Sequence, residues 1–331
     1  MLPTLGLLIG RFQPLHNGHM SLILQAASKC EKLLILVGSA NSSRSIKNPF
    51  TYIEREDTIS KFLLAHDLYN ATVMPLNDYP YSDSQWLTDI NDIVNEHYTS
   101  DVTLFGFDKD GNDYLKWFPQ YKYVNINTEY NICSTDIRAD MFNTSYKLLT
   151  SSVQEDYKYF KKEKELFSKY PFPETLNFNC ADAVLECCGH VLLIKRGAAP
   201  GKGQWALPGG FKNANETFTD CAIRELLEET NVRVPEKVLR GSIVSSKLFD
   251  SPKRGNGIPR NTLAVHMKIS ANNDGSLPRI SNADDAEGTW WVPITDALNG
   301  IDMYDDHTGI ISTMCGVLPK PAHVNIRFGN M

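Results

Sequence analysis

The first half of the chain alternates short apolar runs with segments of helical spacing. The apolar runs predict buried strands at Leu5–Gly10, Leu33–Gly38, Val73–Leu76, Val102–Gly106 and Tyr123–Ile126. The intervening helices are predicted at His19–Lys29, Thr51–Ala65 and Ser84–Tyr98. Continuous apolar strands that alternate with helices are typical of a parallel sheet with both faces covered. We therefore expect an α/β domain with a doubly wound, Rossmann-like parallel sheet.

The second half has a different order of elements. Strands are predicted at Asn179–Glu186 and His190–Lys195, followed by a glycine-rich loop. One strong helix, Glu216–Thr230, precedes further strands near Leu239–Ser246 and Thr262–Ile269. Strands arranged around one central helix indicate an α+β sandwich.

Between the two patterns lies a candidate domain boundary. Ser152–Lys169 reads as a charged helix, and Tyr170–Glu174 contains two prolines that cannot continue it. We place the boundary there. The first domain then covers 1–172, with this helix as its C-terminal linker, and the second covers 173–331.

Composition narrows the classes of protein. The formal net charge of −6 argues against a general nucleic-acid binder, yet it is compatible with small nucleotide substrates. Seven cysteines without a CxxC pair disfavour a zinc site or disulfide framework and fit a reducing cytoplasm. No apolar run approaches the ~20 residues that span a bilayer, so we expect no membrane partner. Homo-oligomerisation is left open.

The turn after the first strand, Gly10–His19, has the composition of a phosphate site. It opens the first helix, whose N-terminal N–H groups and partial positive charge favour anions. His16 and His19 can donate hydrogen bonds to a transferring nucleotide and its leaving pyrophosphate. Gly18 lets the backbone approach the ligand. Adenylyl transfer then needs positioning and electrostatics but no side-chain nucleophile.

This turn resembles the HxGH nucleotidylyltransferase superfamily, and within it the nicotinamide mononucleotide (NMN) adenylyltransferases of the archaeal-like branch. The resemblance covers about residues 1–150. It implies catalytic roles for His16 and His19. It also implies contacts to ATP or NMN from Gly10, Arg11, Phe12 and Gly18.

Cys133–Arg138 resembles the second motif of that superfamily, Ser-Ser/Thr-x-x-Arg. The resemblance implies that Ser134 and Thr135 bind phosphate at a helix start and that Arg138 neutralises the triphosphate during catalysis. Cys133 stands where the family often has serine, and we assign it no role.

Further candidates for ATP or NMN binding follow the second strand. Arg44 and Lys47 would supply cations at its carboxyl end, where ligands bind in open α/β sheets. Arg55 could bind phosphate or be a helix-face charge. Trp86 resembles the position at which the family stacks the nicotinamide ring, with a core role as the alternative.

The second half carries three glutamates on one predicted helix. Glu225, Glu228 and Glu229 have i, i+3, i+4 spacing and therefore share one face. Such carboxylates repel one another unless a cation lies between them, and their oxygens suit Mg²⁺ or Mn²⁺. A metal there would bind a pyrophosphate and help generate hydroxide. We expect Mg²⁺, with Mn²⁺ as an alternative, to be a cofactor of both domains.

The surrounding spacing resembles the Nudix box, with Gly210, Glu216 and then Arg224–Val232. Every position matches except Asn231, where the family has glycine. Because asparagine tolerates left-handed geometry, we expect the helix C-cap to survive. The resemblance implies catalytic carboxylates at Glu225, Glu228 and Glu229, which with Gly210 hold the metal, and it implies that Arg224 orients a glutamate.

Outside the box, three stretches resemble ADP-ribose pyrophosphatases found fused to NMN adenylyltransferases. They are Phe249–Arg260, Asp284–Glu287 and Tyr304–His307. Among their residues, we expect Arg254, Arg260 and Asp285 to bind ADP-ribose. Trp290 and Trp291, which follow the second stretch, could bind substrate or could be core residues.

Both resemblances together predict a bifunctional enzyme. One activity would form NAD and pyrophosphate from NMN and ATP, and the other would hydrolyse ADP-ribose to AMP and ribose 5-phosphate. A first alternative keeps both folds but uses nicotinate mononucleotide or another acceptor, with a broad-specificity hydrolase. A second is a nucleotide-sensing regulator with a non-catalytic Nudix fold. The retained carboxylates and the lack of a basic helix-turn-helix pattern disfavour the sensor.

Overall fold

A computed structural model describes residues 2–79, 81–97, 99–107, 117–127, 130, 132–143, 149–252, 254–281 and 286–319. The chain divides into two compact units, and the division falls between Leu149 and Thr150. No helix in these ranges is long and apolar enough to cross a membrane.

The first unit is built on a five-stranded parallel sheet in the order β3-β2-β1-β4-β5. Its strands are β1 (Leu5–Gly10), β2 (Lys32–Val37), β3 (Ala71–Pro75), β4 (Val102–Gly106) and β5 (Lys122–Asn125). Its helices are α1 (Asn17–Ala27), α2 (Tyr52–Ala65), α3 (Asp83–Asn95) and α4 (Ser134–Asn143). The expected doubly wound α/β fold is confirmed.

Alternation along the strands explains why both faces of this sheet are buried. Leu33 and Ile35 of β2 join the core that includes residues of α1 and α2. Leu34 and Leu36 join a second core with residues of α3. Successive strand side chains point to opposite faces, so a strand covered on both sides is apolar throughout. The chain adds strands first on one side of β1 and then, from β4, on the other side. Folds of this kind bind ligands at the carboxyl end of the strand where this change of direction occurs.

Among its described residues, the second unit contains a mixed seven-stranded sheet and five α-helices. Its strands are β6 (Phe178–Cys187), β7 (His190–Arg196), β8 (Trp205–Ala206), β9 (Gly209–Phe211), β10 (Ile243–Phe249), β11 (Arg260–Ile269) and β12 (Ala286–Pro293). Its helices are α5 (Ser151–Phe167), α6 (Phe218–Thr230), α7 (Glu236–Gly241), α8 (Ile294–Asn299) and α9 (His307–Cys315). This confirms the predicted α+β sandwich.

Several boundaries shift by a few residues from the sequence prediction, and two of these shifts have a clear local cause. The strand expected from Leu239 begins at Ile243, because Leu239 is buried in the short helix α7. Helix α6 begins at Phe218, two residues after Glu216. Thr217 accepts the Asp220 N–H and the Asp220 carboxylate accepts the Thr217 N–H, and this capping box starts the helix.

Helix α5 belongs to the second unit, although the sequence boundary at 172/173 assigns it to the first. Asp156 accepts the Gly201 N–H at 2.9 Å. Glu163 accepts the Ile258 N–H at 3.0 Å and pairs with Arg260. The partners are 45 to 97 residues away in sequence, so no local pattern could reveal them.

This packing changes which fragment should fold alone. We expect a fragment that starts near Thr150 to be more stable than one that starts near Pro173. Removing α5 leaves the buried partners of Asp156 and Glu163 without their hydrogen-bond acceptors. Breaking a buried ion pair costs about 3 kcal/mol or more. Urea unfolding of both fragments measures the difference. Equal stability of the two would show that α5 contributes nothing.

Two candidate active sites

The turn between β1 and α1 brings His16 and His19 together. His16 is the N-cap of α1, and its Nδ1 accepts the His19 N–H at 3.3 Å. The two rings stack with centroids 3.7 Å apart. A Cβ at position 18 would lie 3.1 Å from Cε1 of His16, so Gly18 is what allows this close approach. The pairing predicted from the HxGH spacing is present.

His19 is held as a neutral imidazole. Burial lowers its pKa to about 3, and His16 adds to the effect. Among the described residues, its buried Nδ1 has no hydrogen-bond partner. The Phe12 ring packs edge-on at 4.9 Å and is itself buried. Phe12 therefore supports the imidazole, and a buried polar atom without a partner is suited to a ligand.

Arg138 lies beside this turn, although it is 125 residues from Gln13 in sequence. Its Nη1 donates to the Gln13 carbonyl at 2.6 Å and its Nη2 to the Thr135 hydroxyl at 3.2 Å. Burial lowers its pKa, and the nearby Arg11 adds to this. Two guanidinium groups in proximity favour an anion between them.

Helix α4 begins at Ser134, as the second motif predicts. Cys133 precedes the helix. The backbone N–H of Thr135 donates a hydrogen bond to the Cys133 sulfur and thereby lowers the pKa of the Cys133 thiol. A helix start at this position leaves N–H groups available for phosphate.

The cations after β2 have different surroundings. Arg55 is buried and donates to the carbonyls of Arg11, Gly38 and Ser39, so it braces the loops instead of facing a ligand. Arg44 donates to the Pro49 carbonyl at 2.9 Å and pairs with Glu54. The backbone hydrogen bonds of Arg55 favour a structural role for this residue over phosphate binding.

Other candidates in the first unit keep the status of predictions. Lys47 is partly buried. Trp86 is also partly buried and packs against the α3 core, with Trp117 and Phe118 as ring neighbours. Gln13 was not predicted: its side chain exchanges two hydrogen bonds with the Phe50 backbone and so ties the histidine turn to the cation loop.

The second site forms where β9 meets α6. Arg224 donates to both oxygens of Glu216, and through Nη1 to Glu225 at 2.8 Å and Glu228 at 3.0 Å. The hydrogen bonds from Arg224 lower the pKa of Glu216 to about 2. Arg224 thus orients the glutamates, as predicted from the box.

Helix α6 ends as expected. Asn231 takes the left-handed conformation with φ 45° and ψ 34°, and its N–H bonds to the Leu227 carbonyl. This confirms the expectation that asparagine can form the left-handed C-cap at the position where the box has glycine.

The third glutamate, Glu229, is partly buried and lies beside Gly209. Burial raises the pKa of Glu229 to about 7, while the Gly209 N–H, donated at 2.9 Å, opposes the rise. Burial also raises the pKa of Glu225. Gly210 packs so close to the Glu225 carboxyl that any Cβ there would collide with it.

These residues fit a hard divalent cation. Buried carboxylates with raised pKa values are destabilised as anions, and a cation among them offsets this cost. Glu225, Glu228 and Glu229, with the Gly210 carbonyl, would hold it. The ion would polarise a bound pyrophosphate and activate water.

This arrangement predicts pH-dependent stabilisation by metal. Glu229 has an ordinary pKa of 4.5, raised to about 7 in the fold. The folded metal-free protein therefore binds more protons between these values, and its stability falls as pH rises through that window. Metal requires the ionised form, so Mg²⁺ should raise the melting temperature more at pH 8 than at pH 6.

Differential scanning fluorimetry with and without Mg²⁺ measures this. Glu229→Gln should show a small shift that does not change with pH. Equal shifts of the native protein at the two pH values would contradict the role of Glu229.

The predicted ADP-ribose ligands have protein partners here. Arg254 forms a buried two-point ion pair with Asp306, at 2.9 and 2.8 Å. Arg260 pairs with Glu163 and lies over the rings of Phe160, Phe178 and Phe211. Arg254 and Arg260 are both engaged in ion pairs within the protein, so their contact with substrate stays a prediction. Asp285 lies outside the described residues.

Sequence reasoning missed two residues near Glu229. Asp182 is buried in β6 and accepts the Thr262 hydroxyl at 2.7 Å. Arg196 lies close enough to lower the pKa of Glu229, and its guanidinium stacks 4.2 Å above the Tyr304 ring. An aspartate between alanines in an apolar strand was a signal for the first, whereas Arg196 gave none.

Known families match both halves of the chain. A cytidylyltransferase-like family model matches residues 7–140 and a NUDIX domain model matches residues 179–312. The nicotinamide/nicotinic acid mononucleotide adenylyltransferase of Acinetobacter baylyi is 31% identical over 180 residues, covering 51% of this chain and 94% of that protein. The match to the nicotinamide-nucleotide adenylyltransferase of Thermoplasma acidophilum is 37% identical over 83 residues, covering 25% of this chain and 46% of that relative.

Two solved structures cover nearly the whole length of the chain. The bifunctional NMN adenylyltransferase/ADP ribose pyrophosphatase of Francisella tularensis has a TM-score of 0.86 at 29% identity, covering 95% of this chain and 99% of that one. A second structure of it contains AMP and a manganese ion and has a TM-score of 0.85. With both motifs assembled, the chain belongs to the mononucleotide adenylyltransferase family, in the two-domain form that carries a C-terminal NUDIX domain.

Proposed function

We propose that the first unit transfers the adenylyl group of ATP to NMN and forms NAD and pyrophosphate. The observation that carries this is the stacked His16/His19 pair beside Arg11 and Arg138. An oxygen of the NMN phosphate attacks the α-phosphorus of ATP, and the bond to the β-phosphate oxygen breaks. The relatives' names support NMN as acceptor, and one of them also names nicotinic acid mononucleotide.

The residues of this site act by binding and by compensating charge. The neutral His19 can donate a hydrogen bond to the reacting phosphate, provided its proton is on the nitrogen that faces it. Arg138 and Arg11 balance the negative charge that develops on pyrophosphate. The start of α1 directs backbone N–H groups to the same region. Mg²⁺ would enter this site bound to the phosphates of ATP.

We propose further that the second unit hydrolyses ADP-ribose to AMP and ribose 5-phosphate with Mg²⁺ or Mn²⁺. Glu225, Glu228 and Glu229 would hold the ion, and Arg224 fixes two of them. Water attacks one phosphorus, and the pyrophosphate P–O bond breaks. The manganese ion and AMP in the Francisella structure support this assignment.

A nucleotide panel tests both activities. ATP is offered with NMN or nicotinate mononucleotide, and separately a set of pyrophosphate diesters is offered with Mg²⁺ or Mn²⁺. Chromatography should show NAD in the first case and AMP from ADP-ribose in the second. Absence of both products from folded protein would refute the assignment. We propose small nucleotides as the partners and the cytoplasm as the location.

A further inference from the structure

The second unit contains a second cluster of metal-binding side chains, remote in sequence from α6. Glu186 of β6, His266 of β11 and Cys315 at the end of α9 each offer one ligand atom, and these atoms all lie within 4.8 Å of one another. We propose that this cluster binds a zinc-like divalent cation through imidazole nitrogen, carboxylate oxygen and thiolate sulfur, with a fourth position open to water.

The sheet register explains how two of the ligands meet. β6 and β11 are parallel neighbours, with Glu186 opposite Lys268 and therefore diagonal to His266. Their neighbours Leu185, Val265 and Met267 point to the α6 core on the opposite face. Alternation thus directs Glu186 and His266 to the other face of the sheet. Helix α9 packs against both strands and brings Cys315 to them.

The donor geometry is close to that of a tetrahedral site. The Nε2 atom of His266 lies 2.9 Å from Oε2 of Glu186. Zinc bonds of about 2.0–2.3 Å place neighbouring ligand atoms roughly 3.3–3.6 Å apart. Small movements of the pair and the thiol would therefore complete three corners. Lys268 donates to Oε1 at 2.7 Å, which leaves Oε2 for the ion and orients the carboxylate.

The His266 and Glu186 side chains of this cluster are buried, unlike those of a surface ion pair. The side chains of His266 and Glu186 are 6% and 9% exposed. Burial also raises the pKa of Cys315 to about 12, so without metal the thiol keeps its proton, and a bound ion would displace that proton to solvent.

The ligand chemistry separates this site from the Nudix carboxylates. A set of nitrogen, oxygen and sulfur donors suits zinc, whereas the oxygen donors on α6 suit Mg²⁺ or Mn²⁺. The cysteine pattern disfavoured a zinc site, because these three ligands come from three separate elements of the chain and meet only in the fold.

Cobalt titration of the full-length, reduced protein tests the proposal. Excess Mg²⁺ is kept present to occupy the carboxylate site. We expect visible cobalt bands and a near-ultraviolet thiolate-to-cobalt band that saturate near one ion per chain and disappear when zinc is added. Cys315→Ser should lose the thiolate band. Cys188→Ser, an exposed cysteine on the neighbouring turn, should keep it.

No thiolate band in the native protein, or an unchanged band in Cys315→Ser, would overturn the proposal. A second measurement needs no variant. Zinc should slow alkylation of Cys315 at least tenfold, read by peptide mass spectrometry, while Cys188 reacts at an unchanged rate. Equal protection of both cysteines, or of neither, would also overturn it.

Discussion

Replacing His19 by alanine is expected to lower NAD synthesis from ATP and NMN by a factor on the order of 10² or more, the scale for loss of one preorganised donor. His19 is partly buried, neutral and stacked on His16, with one buried ring nitrogen that has no partner among the described residues. Such a group costs little reorganisation when charge develops on phosphate. Initial rates of NAD formation measure the loss.

The control for this variant is in the same protein. ADP-ribose hydrolysis should be nearly unchanged, because its proposed residues all lie in the second unit. His66→Ala removes a histidine that bonds to the end of α2, and it should leave NAD synthesis within a few-fold of native. A folded His19→Ala protein with native NAD synthesis would remove the basis for the assignment.

The hydrolase should prefer ADP-ribose over NAD by at least about 10² in kcat/KM. Metal bound by Glu225, Glu228 and Glu229 would cleave almost any accessible pyrophosphate, so the chemistry itself is unselective. NAD, the proposed product of the first unit, is also a pyrophosphate diester. Groups that bind the terminal ribose hydroxyls of ADP-ribose would be blocked or left unpaired by nicotinamide, and buried unpaired polar groups discriminate strongly.

AMP release from each compound alone, in Mg²⁺, measures this ratio. Glu225→Gln should lower both rates, which would show that any NAD cleavage comes from the same site. Comparable rates on the two substrates would instead indicate a broad-specificity hydrolase. Arg254 and Arg260 hold Asp306 and Glu163. Their replacement would therefore test stability and selectivity together, and melting temperatures are needed beside the rates.

Local patterns were sufficient for the elements that carry the chemistry. Glycine, histidine and arginine at the start of α1 predicted the phosphate site, since a strand-to-helix turn is encoded within ten residues. The spacing of Glu225, Glu228 and Glu229 predicted the shared face, since helical period alone decides it. Asn231 at the C-cap followed from its tolerance of left-handed geometry.

Roles that depend on distant partners could not be predicted in this way. Arg55 was ambiguous in sequence and proved to be a buried brace, because three of its carbonyl partners come from two loops outside its own helix. Arg196 had no sequence signal, and it matters through its position beside Glu229 and Tyr304. Helix α5 looked like a linker because its amphipathic face does not tell which core it covers.

The sequence by itself thus determined the two folds and the two motif sets, since each rests on spacing within one element or one turn. Only the tertiary structure decided the division at Leu149/Thr150, the partners of Arg254 and Arg260, and the meeting of Glu186, His266 and Cys315. The physical reason is that burial and pairing depend on contacts between residues far apart in the chain, whereas periodicity and capping are local.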